Sequence, residues 1–71
     1  MTSPAQQFQS AEEAAISRAD QGISEHDMPG GWRVLIARKG EKASTWYFHT
    51  NDDKRLAEAL RKCAWRWLGD N

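Results

Sequence analysis

The chain has 71 residues, 39% of them hydrophobic and 28% charged, with a formal net charge of zero and one cysteine. A chain this short buries only about 60% of the surface its unfolded form exposes, so one small domain without a large internal active site is expected. Cys63 alone excludes an intramolecular disulfide, and neither a leader-like opening nor an 18-residue apolar run occurs, so the expectation is a soluble cytoplasmic protein with no membrane span.

The zero charge is a cancellation. Residues 1–30 set Glu12, Glu13, Asp20, Glu25 and Asp27 against Arg18, a balance of −4, whereas residues 31–71 carry a balance of +4. This asymmetry divides the chain into an acidic segment and a basic unit. Residues 1–9, polar with a proline and without period, read as a mobile tail, and residues 10–30 as an acidic helix with a linker. Ser10 with Glu13 resembles a capping box and Gly22 a stop, which predicts a helix at about 11–21 with a thin apolar side of alanines and Ile16. The glycines and proline of GISEHDMPGG predict the linker.

From Gly31 the pattern becomes extended, and residues 31–71 read as a hairpin-helix core unit. WRVLIAR sets Trp32, Val34 and Ile36 against Arg33, Leu35 and Ala37, and STWYFHT sets Trp46 and Phe48 against Tyr47 and His49. Both runs are β-branched and aromatic with apolar groups on both faces, and KGEKA between them predicts an antiparallel hairpin with a loop of four or five residues. One hairpin face would pack on the following helix; the other, with Leu35 and Tyr47, is expected to lack cover. Thr50 or Asn51 can cap that helix, Asp52 and Asp53 suit its positive end, and Gly69 stops it, which predicts a span of about 52–68. Leu56, Ala57, Leu60, Cys63, Ala64, Trp67 and Leu68 fall in one stripe of about 140°. The predicted fold class is therefore α+β, a single domain of N-terminal helix, β-hairpin and C-terminal amphipathic helix (αββα).

Trp65 and Trp67 lie two residues apart, roughly 200° around a helix, so one core cannot bury both. Trp67 belongs to the apolar stripe. Trp65 points out among Lys54, Arg55, Arg61 and Lys62, either covered by the N-terminal helix or Phe8, or bare as a contact site, since tryptophan and arginine are enriched in interface hot spots. A third alternative is a lone ring stacked on arginine stems.

Candidate chemistry is sparse. His26, His49 and Cys63 lack the spacing of a zinc site, Cys63 sits on the apolar stripe, and no phosphate loop occurs, so no metal, no cofactor and no catalysis are expected. The order extended run, turn, extended run, Thr-containing cap and tryptophan-bearing helix over residues 31–68 resembles in outline very small bacteriophage proteins that bind and inhibit host machinery. No specific motif carries the resemblance, and no residue role comes with it.

Two functions follow as expectations. The first is a small regulatory or inhibitory protein, of phage or mobile-element type, that binds another protein through Trp65, Arg61, Lys62, Lys54, Arg55, Tyr47 and Leu35. The second is a nucleic-acid-binding module in which Arg33, Arg38, Lys39, Lys42, Lys54, Arg55, Arg61 and Lys62 meet phosphates and Tyr47 or Trp65 stacks on bases. Zero net charge weighs against the second. A homodimer through the hairpin edge is also expected, because residues 31–69 are 39 in number and a unit below about 40 residues needs a disulfide, a metal or a partner.

Overall fold

Val34, Leu35, Ile36 and Ala37 follow one another in a single extended run, so apolar side chains leave both sides of the pleat and both sides must be covered. All four are fully buried. The computed structural model, which describes residues 3–69, places this run at the centre of a three-stranded antiparallel sheet. The elements are α1 (Pro4–Arg18), β1 (Gly22–Met28), β2 (Trp32–Lys39), β3 (Lys42–His49) and α2 (Lys54–Gly69). The fold is α+β, with β2 between β1 and β3.

The cross-strand register decides which face each side chain joins. Val34 stands opposite His26 on one side and Tyr47 on the other, while Leu35 stands opposite Glu25 and Trp46. On the first face Val34, Ile36 and Met28 pack against Ala15 and Ala19 of the α1 segment, with Phe8, Ile16 and Tyr47 at the margin. On the second face Leu35, Ala37 and Phe48 pack against Ala57 and Ala64 of α2, with Trp46, Leu60, Trp67 and Leu68 closing around them. The helices therefore cover opposite faces of one sheet.

Local chemistry explains the ends of these elements. Ser3 caps α1 in a reciprocal capping box: its hydroxyl accepts from Gln6 N at 3.2 Å, and its own N–H donates to the Gln6 side chain at 3.3 Å. Pro4 at the first turn has no N–H to leave unsatisfied. The α1 C-terminus is met from the sheet by Arg38, which donates to the carbonyls of Ile16 at 3.3 Å and Ala19 at 2.8 Å, where a cation also complements the helix dipole. At the β1–β2 turn Gly31 has φ +80°, and a Cβ there would lie 3.0 Å from His49 Nε2, so the turn requires glycine on both counts. Asp53 caps α2, accepting from Arg55 N at 3.0 Å.

Several expectations are corrected. Residues 3–9 are not a tail, because the capping box starts α1 at Pro4; Met1 and Thr2 lie outside the described residues, as do residues 70–71 of the predicted core unit. The helix ends at Arg18 and not at 21. The predicted linker is β1, paired with β2 from Gly22↔Arg38 to Met28↔Trp32, so the expected hairpin is a three-stranded sheet. Its second turn is also tighter than expected, because pairing continues to Lys39↔Lys42 and leaves Gly40, at φ +64°, and Glu41 as the two-residue connection. The α2 cap is Asp53 and not Thr50 or Asn51, while Asp52 accepts from His49 N at 2.7 Å outside the helix. Leu35 and Tyr47 do not share an uncovered face: Leu35 is buried under α2, and Tyr47 lies on the α1 side.

Candidate functional site

Seating α2 through Ala57 and Ala64 sets the direction of every other side chain on it. At about 100° per residue from Ala57, Arg61 lies at about 40°, Lys54 at 60°, Trp65 at 80°, Glu58 at 100°, Lys62 at 140°, Arg55 at 160° and Arg66 at 180°. One broad arc thus holds five cations, one carboxylate and one indole. Trp65 is 66% exposed, the most exposed of the large hydrophobic side chains among the described residues. The sequence-predicted set Trp65, Arg61, Lys62, Lys54 and Arg55 is brought together on this arc, and Arg66, which belongs with it by the same spacing, joins the set.

Arg61 marks where the arc meets the sheet. Its guanidinium lies 2.9 Å from Glu25 on β1, and Arg33 on β2 similarly holds Asp27 at 2.9 Å. Exposed pairs of this kind contribute at most about 1 kcal/mol each, so they orient the side chains more than they stabilise the fold. Beside Arg61, between the first turns of α2 and the end of the sheet, a cleft of about 370 Å³ opens. Its floor is Phe48 and Ala57, and Arg33, Asp52, Lys54, Glu58 and Arg61 stand around it.

His49 lines the same cleft and ties its loops together. Asn51 N donates to His49 Nδ1 at 3.1 Å, which leaves the proton on Nε2 to donate to the Gly30 carbonyl, also at 3.1 Å. The ring meets Trp32 edge-on, with centroids 5.2 Å apart. Both ring nitrogens of His49 are thus satisfied in a structural role, bridging the β1–β2 turn and the β3–α2 loop.

The remaining predicted contact residues lie elsewhere. Leu35 is fully buried and cannot meet a partner. Tyr47 packs against Phe8, with centroids 5.8 Å apart, and its hydroxyl donates to the Glu12 carboxylate while accepting from Thr45 Oγ1. Burial first, and then the bond to Glu12, raise the Tyr47 pKa above the ordinary tyrosine value. Arg38 is committed to the end of α1, and Lys39 donates to the Leu68 carbonyl at 3.2 Å. Cys63, expected on the buried stripe, is exposed, as is Leu56 at 42%. Both sit about 100–120° from Ala57 on the flank of α2 away from Trp65, just beyond the reach of the sheet. Among the described residues no three His, Cys, Asp or Glu side chains come together, and no helix is long and apolar enough to cross a membrane.

No protein-family model, curated protein or solved structure matches the chain. The face of α2 is therefore interpreted from its own chemistry.

Proposed function

We propose that the protein is a small non-enzymatic interaction protein, a regulator or inhibitor of phage or mobile-element type. It binds another protein through the outward face of α2. The observation that carries this reading is Trp65, which is 66% exposed, together with the position of α1. The N-terminal helix and Phe8 were the segments that could have covered the indole within the chain, and both pack on the opposite side of the sheet. An uncovered tryptophan amid arginine and lysine has the composition of an interface hot spot. An exposed Cys63 thiol fits a reducing cytoplasm.

Nucleic acid is the second reading, kept by the cations of α2. It is weaker than the sequence suggested, because Tyr47 is packed under α1, Arg38 serves as a helix cap, and Arg33 and Arg61 are already held by carboxylates. The motive for a homodimer also changes. Leu35 and Tyr47, the residues expected to want cover, are covered within one chain by α2 and α1 respectively, although β1 and β3 remain sheet edges.

Affinity capture from a lysate of the encoding organism or its host tests the reading, with wild type and Trp65→Ala compared side by side. A protein retained by the wild type and lost with Trp65→Ala is the expected result. Retention of the same proteins by both, or retention abolished by nuclease, would overturn it.

A further inference from the structure

The charge division seen along the sequence becomes a division in space, and this specifies the chemistry of the partner. Helix α2 carries Lys54, Arg55, Arg61, Lys62 and Arg66 against Glu58 alone, a local balance of +4 on a protein whose total is zero. The α1 side carries Glu12, Glu13 and Asp20 against Arg18. The sheet keeps the α1 acids on the far side. Asp52 and Asp53 at the first turn and Glu25 on Arg61 offset the cations at that end, so within a Debye length of about 8–10 Å the net positive field is strongest toward Lys62 and Arg66.

The arc also has a length and a shape. From Lys54 to Arg66 it runs about 18 Å at 1.5 Å per residue, with the cleft at its first turns and Trp65 about two turns further on. Arg61 borders both. The cleft floor of Phe48 and Ala57 accepts an apolar side chain, Trp65 offers an aromatic platform, and Lys62 and Arg66 supply cations with no ion pair among the described residues.

Resting on the reading of α2 as a docking face, we propose that its occupant is an acidic peptide segment of the partner protein, which places one apolar side chain in the cleft and its carboxylates along the α2 cations. The rim favours this over a polyphosphate. Glu25 and Asp27 sit on Arg61 and Arg33, and Glu58 stands beside the cleft, so a nucleic-acid backbone with its closely spaced charges would meet carboxylates there. A peptide with a few spaced carboxylates reaches Lys62 and Arg66 and avoids that repulsion.

The test uses a fluorescently labelled synthetic peptide with glutamates spaced around a central leucine, its glutamine-substituted counterpart, and single-stranded and duplex oligonucleotides of similar length. Polarisation is read at about 0.15 M salt, where surface charges act over roughly 8 Å. The glutamate peptide should bind the full chain about ten-fold tighter than the glutamine peptide. Trp65→Ala and the pair Lys62→Glu with Arg66→Glu should each weaken it about ten-fold, and Arg18→Gln on the α1 side should not. Melting curves matching wild type confirm that these exposed substitutions leave the fold intact, and Trp65→Phe, which keeps a ring, should recover part of the binding. Equal binding of both peptides, no binding, or insensitivity to the α2 variants would overturn the proposal. So would displacement of the peptide by oligonucleotide, which would assign the face to nucleic acid. If Trp65-dependent capture from lysate persists while the glutamate peptide fails, the docking face stands and its acidic ligand falls; if capture ignores Trp65, the face itself is wrong.

Discussion

The two faces of the sheet are covered by helices that attach in different ways. Under α2, large side chains do the work: Leu35 and Phe48 meet Ala57 and Ala64, and Trp46, Leu60, Trp67 and Leu68 close the edges. The α1 segment likewise buries alanines, with Phe8 and Ile16 beside them, but its backbone approaches mainly β1, and side-chain hydrogen bonds supplement this apolar contact: Arg38 to the last carbonyls, Tyr47 to Glu12, and Gln21 to both backbone groups of Gly40 at 2.8 and 3.1 Å. The apolar contact of α2 extends over all three strands, whereas each hydrogen bond of the second kind adds only about 0.5–1.5 kcal/mol net. The more firmly seated helix is also the one whose outer face carries the candidate site. A helix seated along the sheet fixes the backbone under Trp65 and its cations, which leaves only their side chains to be ordered by a contact.

Substitutions can break this comparison, and the largest effect belongs under α2. Leu35→Ala removes a fully buried side chain at the centre of the sheet and should cost about 2–5 kcal/mol, enough to unfold much of so small a domain; urea denaturation reads it. Trp67→Ala should cost about 2 kcal/mol by the same assay, less than the roughly 3–5 kcal/mol of a fully enclosed tryptophan, because Trp67 is only half-buried.

On the α1 side the effects are smaller and local. Arg38→Met keeps the stem but loses both bonds to the α1 terminus, and should cost about 1–2 kcal/mol with faster amide exchange confined to α1. Equal acceleration in α2 would show that the two layers are not separable. Tyr47→Phe should cost about 1 kcal/mol at neutral pH. Its pH dependence has a defined sign. The folded Tyr47 pKa is raised, so its contribution is intact below the unfolded value near 10 and is lost as pH rises through the higher folded value. Wild type should therefore lose stability in that alkaline window more steeply than Tyr47→Phe, as followed by thermal melts. The smallest change in stability, within about 0.5 kcal/mol, is expected for Trp65→Ala, since its indole is mostly in solvent. A melt displaced as far as that of Trp67→Ala would show that Trp65 supports the fold.

Helix α2, the pair β2 and β3, and the outward direction of Trp65 were legible in the sequence because each depends on local pattern: 3.6 residues per turn along α2, which runs Lys54–Gly69 and takes in the glycine expected to stop it, and two β-branched and aromatic runs around Gly40. The start of α1 is written in the sequence as well, since Ser3, Pro4 and Gln6 form a capping box with proline at the first turn; Ser10 and Glu13 present the competing pattern about two turns deeper in the same helix. Strand β1 was not. Ser24, Glu25, His26 and Asp27 carry no apolar alternation, and an edge strand needs little, because its backbone is paired by β2 and Glu25 and Asp27 are held by Arg61 and Arg33 from distant positions.

The sequence by itself determined the α+β class, the amphipathic α2 and the segregation of charge, because composition and spacing are properties of neighbours along the chain. Tertiary structure decided what depends on register and on choice of face. Pairing Val34 with Tyr47, and Leu35 with Trp46, sent Tyr47 to the α1 side and Leu35 beneath α2, since a one-residue shift exchanges every side chain between the two surfaces of a sheet. It also decided that α1 lies across the sheet from α2, and so whether Trp65 is covered. That outcome rests on long-range packing of Ala15 and Ala19 onto Met28, Val34 and Ile36, which no local pattern encodes.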